Sequence, residues 1–134
     1  MKSAICLVIC LMILVCLCAC VGNIRNVETP EIESEMYSQN DIRQAIEIIK
    51  GEFRRDWKGC KLTEIFYAGD ETTATFQDWA DRNNDDEVIV LLSSFDVDSS
   101  GGDGSLNPNS TYKNWKWILV RTDGGQWKHV DHGY

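Results

Sequence analysis

An unbroken apolar run, Ala4 to Val21, decides how much of this chain can enter a water-soluble fold. Lys2 is the only charged side chain before it, and the run holds five of the six cysteines: Cys6, Cys10, Cys16, Cys18 and Cys20. Counting all six would suggest a disulfide framework. A targeting segment has to be set aside before cysteines are counted. A cut before Cys20 leaves only Cys20 and Cys60, and no staple pattern survives.

Leu17-Cys18-Ala19-Cys20 fits the lipobox pattern, with an aliphatic residue three before the cysteine and a small residue directly before it. The cysteine thiol is the acceptor for a diacylglyceryl group, and Cys20 is therefore the expected lipidation site. Cys16 and Cys18 do not fit, because Val15 and Leu17 precede them. Two other readings stay open. As an uncleaved helix, eighteen residues at about 1.5 Å each would span about 27 Å, just enough for a bilayer core. A plain secretory signal is the third. Lys2 and the amino terminus hold the leading end in the cytoplasm in each case, so the remainder is expected on the outer face of the cell membrane.

These readings divide the chain into a signal peptide over 1–19, an acidic tether over 20–37 and a domain over 38–134. The tether carries Pro30 and four glutamates without an apolar period, which reads as solvated linker. Beyond residue 19 there are twelve basic and twenty-one acidic side chains, a formal charge of −9. That balance excludes a nucleic-acid partner, which needs a basic footprint, and argues against adsorption on anionic head groups.

Within the domain, Ser38-Gln-Asn-Asp41 reads as a helix start. Ile42, Ala45, Ile46, Ile49 and Phe53 then fall on one helical face, and Trp57-Lys-Gly59 ends the helix. Cys60 to Ala68 reads as a strand with Leu62 and Phe66 on one side and Ile65 and Tyr67 on the other. Gly69-Asp70 stops it, and Thr75 to Arg82 forms a short helix packing Phe76, Trp79 and Ala80. Glu87 to Val97 is apolar on both faces, so it should be central and covered twice. Tyr112 to Arg121 and Gln126 to His132 are the last strands, joined at Asp123-Gly-Gly125. A two-residue turn would put Trp127 opposite Val120, and a three-residue turn would put it opposite Arg121. The expected fold is α+β, with one long amphipathic helix on a curved antiparallel sheet of about four strands, of the cystatin-like or nuclear-transport-factor-2-like kind.

The runs Glu87-Val-Ile-Val-Leu-Leu-Ser-Ser-Phe-Asp-Val-Asp-Ser-Ser-Gly101, Trp115-Lys-Trp-Ile-Leu-Val-Arg121 and Trp127-Lys-His-Val-Asp-His-Gly-Tyr134 resemble a group of uncharacterised bacterial lipoproteins, mostly from anaerobic Gram-positive bacteria. The likeness covers about residues 38 to 134. It implies a lipoprotein with a cystatin-like domain. It implies no catalytic residues.

Four constellations bear on chemistry. Asp96, Asp98 and Ser100 before Gly101, with Asp103 further on, are the candidate ligands of a calcium loop. Position twelve of that loop is Asn107 where an EF-hand has glutamate, and strands flank it, so plain turn chemistry is the competing reading. Asp81-Arg-Asn83-Asn-Asp85-Asp-Glu87 is oxygen-rich but lacks the turn glycine, and reads as a helix-ending loop. In His129-Val-Asp131-His132, strict alternation puts His129 and Asp131 on one side of a strand and His132 on the other, so the three cannot share a metal. His129 is then a hydrogen-bonded structural histidine or half of an acid–base pair. Trp115, Trp117 and Trp127 share a sheet face, which is core or, together with His129, the wall of a ligand site. Cys60 reads as a buried thiol. No resident cofactor is implied beyond weak calcium.

The function expected from this is a membrane-anchored, non-catalytic domain that binds a ligand or an envelope protein. A homodimer through the outer sheet face would supply the second cover for Glu87–Val97. The alternative is a small hydrolase or isomerase with its pocket between helix and sheet; a purely structural envelope role is the third option and predicts a filled interior with no pocket. Fold alone selects none of them.

Overall fold

The computed structural model of the chain describes residues 21–134, so the expected signal peptide and Cys20 lie outside the described residues. No helix among the described residues is long and apolar enough to cross a membrane. Helix α1 runs Gln39–Asp56. Ser38 opens it with a capping box: its Oγ accepts the Asp41 amide at 3.1 Å, and the Asp41 carboxylate accepts the Ser38 amide. Arg54 and Arg55 meet the negative end of the helix dipole in the last turn. The buried face is Ile42, Ala45, Ile46, Ile49 and Phe53, the set that 3.6-residue spacing picks out.

The sheet has four antiparallel strands in the order β1 (Cys60–Tyr67), β2 (Glu87–Val97), β3 (Thr111–Arg121), β4 (Lys128–Gly133). Helix α1 covers one face, closing a core with Leu62, Ile65, Ile89, Leu91, Phe95, Trp117 and Leu119. The other face carries Val88, Val90, Ile118 and Val120. Two short helices between β1 and β2, α2 (Asp70–Ala74) and α3 (Gln77–Arg82), lie over it with Phe76, Trp79 and Ala80. The domain is thus α+β, one long helix packed on a four-stranded antiparallel sheet. A second cover for β2, over Val88 and Val90, comes from α2 and α3 of its own chain.

Residues 21–37 are not a solvated tether. The Asn23 amide donates to Cys60 O and the Leu62 amide to Asn23 O, both at 2.9 Å; the Glu28 amide bonds Thr63 O and the Ile65 amide bonds Glu28 O. This strap runs parallel to β1 as an irregular edge, inserting Ile24, Val27 and Ile32 against the core and burying Tyr37. It covers an edge that would otherwise present unpaired amides. The Tyr37 hydroxyl donates to Val88 O at 2.6 Å. Asp70 ties the strap to β1 by accepting the Glu35 amide and the Tyr67 hydroxyl. Its acidic composition concealed the docking because most of its side chains do face water.

Parity along β1 also differs from strict alternation. An extra residue, Thr63, bulges the strand between Leu62 and Glu64. Leu62 therefore shares the α1 face with Ile65 and Tyr67, while Phe66 is left half-buried. At the β3–β4 hairpin Lys128 stands opposite Val120 and His129 opposite Leu119, which is the register of the three-residue turn. Asp123 and Gly124 supply the positive φ angles, 52° and 66°.

Candidate functional site

The bulge that matters most lies in β4. Ile118 pairs with Asp131 but Leu119 with His129, so Val130 is an extra residue. It packs against the apolar cluster under α3. The parity shift turns Asp131 to solvent and brings His132 back to the side of His129. The two histidines, expected on opposite faces, are therefore neighbours: His132 Nδ1 lies 3.2 Å from His129 Nε2. From α1, Glu52 holds His129 Nδ1 with both carboxylate oxygens at 2.8 Å. A carboxylate only accepts, so Nδ1 carries a hydrogen. His129 Nε2 is also 3.0 Å from the main-chain oxygen of Asp131.

Aromatic rings frame this group. Trp117 lies 5.3 Å from both imidazoles, and Trp57 lies 5.3 Å from His132. Trp115 stacks beside His132 at 6.0 Å, and Tyr134 crosses Trp115 edge-on at 5.2 Å. Partial desolvation by these rings, with the adjacent His129, lowers the pKa of His132 from the usual imidazole value. The buried indole N–H of Trp115 has no hydrogen-bond partner among the described residues. Beyond the rings a cleft of about 340 Å³ opens, lined by Glu52, Trp57, Trp115 and His132 with Leu106 and Ser105 from the β2–β3 loop. The arrangement offers aromatic rings set at steep angles to one another, two adjacent imidazoles and an oriented carboxylate, beside a cleft open to solvent.

The three residues expected as ligand contacts separate. Trp117 is fully buried, its Nε1 donating to Ser93 Oγ at 2.7 Å, and it forms the floor under His129. Trp127 is buried elsewhere, edge-on to Tyr37 and stacked under the Arg121 guanidinium at 4.1 Å, with its Nε1 donating to Asp41 O. It belongs to the clasp in which buried Arg121 bridges Glu87 at 2.8 Å and Asp41 at 3.1 Å. Neither Glu52 nor Trp57, beyond its place at the helix end, carries a motif of its own in the sequence. Glu52 directly precedes the buried Phe53, at the border of the apolar face, and that position was the only available signal.

Of the aspartates expected as calcium ligands, Asp98 and Asp103 are held by their own turns and Asp96 by the facing strand. Asp96 accepts the Thr111 hydroxyl at 2.7 Å. Asp98 accepts the Ser100 amide and Asp103 the Ser105 amide, both at 2.9 Å. Among the described residues, no three His, Cys, Asp or Glu side chains converge on one ion position. The loop closes on itself through Asn109 N to Asp98 O and Leu106 N to Gly101 O. At Gly101 (φ 73°) a Cβ would meet Leu106 O at 2.8 Å, so glycine is required there. In the 81–87 segment, Asp85 takes the Thr122 hydroxyl and the Lys128 ammonium, tying α3 to the hairpin. Cys60 is a free, buried thiol. Burial, with Asp98 and Asp103 nearby, pushes its pKa up to about 11, which removes it as a nucleophile at neutral pH.

No family model, curated protein or solved structure matches the chain, so what it does has to be argued from its own residues.

Proposed function

We propose that this is a lipoprotein of the outer face of the cell membrane, anchored through lipid on Cys20, whose domain binds a ligand or an envelope protein without catalysing a reaction. The leader sequence and its Leu-Cys-Ala-Cys cut site support the anchor. The helix-on-meander arrangement supports a cystatin-like assignment. The observation that carries the binding role is where the polar groups converge. The interior between α1 and the sheet is filled: Ile49, Phe53, Trp117 and Leu119 are fully buried. Glu52, His129 and His132 gather instead at an open aromatic rim. Binding pockets combine apolar walls with a few convergent polar groups, and this rim has that make-up. The hydrolase or isomerase alternative would use the same cleft, where Glu52 from α1 meets His129 and His132 from β4.

The location is tested by labelling intact cells with a membrane-impermeant amine reagent. The exposed lysines 58, 61, 113 and 128 should react without lysis. Labelling that appears only after lysis would refute the outward orientation.

A further inference from the structure

We propose that His129 Nε2, His132 Nδ1 and the main-chain carbonyl of Asp131 form a binding site for a borderline transition-metal dication of the zinc type, with Glu52 orienting His129 from behind. The inference goes beyond the binding role above and does not depend on the lipid anchor.

Three observations carry it. The first is spacing. Zinc–nitrogen bonds of about 2.0–2.1 Å at a tetrahedral centre put two ligand nitrogens about 3.3 Å apart. The two imidazole nitrogens stand 3.2 Å apart, and the carbonyl oxygen stands 3.0 Å from one of them. The second is proton balance. Glu52 fixes the hydrogen of neutral His129 on Nδ1, which leaves a lone pair on Nε2. That lone pair faces the Asp131 carbonyl oxygen, which also only accepts, and His132 Nδ1, whose role depends on its tautomer. A cation among these atoms turns the repulsion into coordination. The third is the outer partner. Histidine ligands characteristically give their other N–H to a carboxylate, which fixes tautomer and ring orientation, and Glu52 occupies that place.

The donor set selects the class of ion. Calcium and magnesium call for oxygen ligands, whereas imidazole suits zinc, copper and nickel. His132 is exposed, so a fourth position would face the cleft and take water or a ligand atom. A net charge of −8 on the chain enriches cations around it.

A proton is the rival of the metal. An N–H of His132 Nδ1 donated to His129 Nε2 would give the same 3.2 Å spacing, and an N–H on His129 Nε2 donated to Asp131 O the same 3.0 Å. Zinc titration by calorimetry separates the two. The full chain is used in detergent, without a histidine tag and with its thiols alkylated. One zinc per chain is expected, with magnesium giving no heat. His132→Gln should weaken binding at least tenfold, and Glu52→Gln about tenfold as loss of an outer-shell partner does. His132 is exposed, so its variant should keep the wild-type circular dichroism. Absence of saturable zinc binding, or binding unchanged in the His129→Gln/His132→Gln double variant, would overturn the site.

Discussion

Replacing Gly22 by alanine should loosen the domain by undoing the strap. Gly22 is buried, and its amide donates to Arg54 O at 2.9 Å, at the last turn of α1. A Cβ there would stand 2.1 Å from Phe53 O and 2.9 Å from Trp57 O. Both obstacles are main-chain oxygens at a helix end, which a side-chain rotation cannot clear. The chain must therefore lift away from α1. Three backbone hydrogen bonds go with it: Gly22 N to Arg54 O, Asn23 N to Cys60 O and Leu62 N to Asn23 O. At about 1 kcal/mol net each, the loss approaches 3 kcal/mol. Freed residues recover about 1 kcal/mol or more of backbone entropy apiece, so a net loss of about 1–2 kcal/mol is expected. Gly51→Ala is the matched control. It makes the same chemical change inside α1, where the new methyl meets only Arg55 Nη1 at 3.7 Å. Helix propensity should then stabilise it by about 0.5–1 kcal/mol. Urea denaturation gives both values, and hydrogen exchange at the Leu62 amide reports the strap directly. Unchanged stability and unchanged Leu62 protection in Gly22→Ala would refute the docking of 21–37 as described.

Two further perturbations probe the core and the clasp. Ser93→Ala leaves the buried Trp117 Nε1 without its acceptor and should cost about 1–3 kcal/mol; a loss near zero by urea denaturation would mean the indole has another partner. At the clasp, the Arg121 hydrogen bond holds the Asp41 carboxyl below its usual value. A depressed folded value contributes stability that is complete above about pH 4, the unfolded value, and is lost as pH falls through the lowered one. The acid limb of a stability–pH curve should therefore flatten in Asp41→Asn, and an identical limb in the variant would count against the ion pair.

Where regular periodicity governs, the structure was legible in the residues. The five apolar positions of α1, at spacings of 3, 1, 3 and 4, fall on one helical face, and the same five are buried. The doubly apolar run of β2 required two covers, and α1 with α3 supply them. Irregular backbone carried no such signal. Thr63 and Val130 each add one residue to a strand, and one residue inverts the facing of everything after it. Nothing about a threonine or a valine marks it as the bulged one. This is why His129 and His132, separated by alternation, stand side by side in the structure. The strap was hidden for a related reason. Its contacts are made by Gly22, Ile24, Val27, Ile32 and Tyr37, a spacing that matches neither helix nor strand. Glu52 and Trp57 became site residues only through the register of α1 against β4, which no local pattern encodes.

In the proposed function, the leader exports the chain and a modified Cys20 then holds the domain at the membrane. Mass spectrometry of the protein extracted from cell membranes measures this directly. The predicted result is a chain whose first residue is Cys20, heavier than its sequence by a diacylglyceryl group. A chain that still begins at Met1, or one cut elsewhere and carrying no lipid, would contradict it.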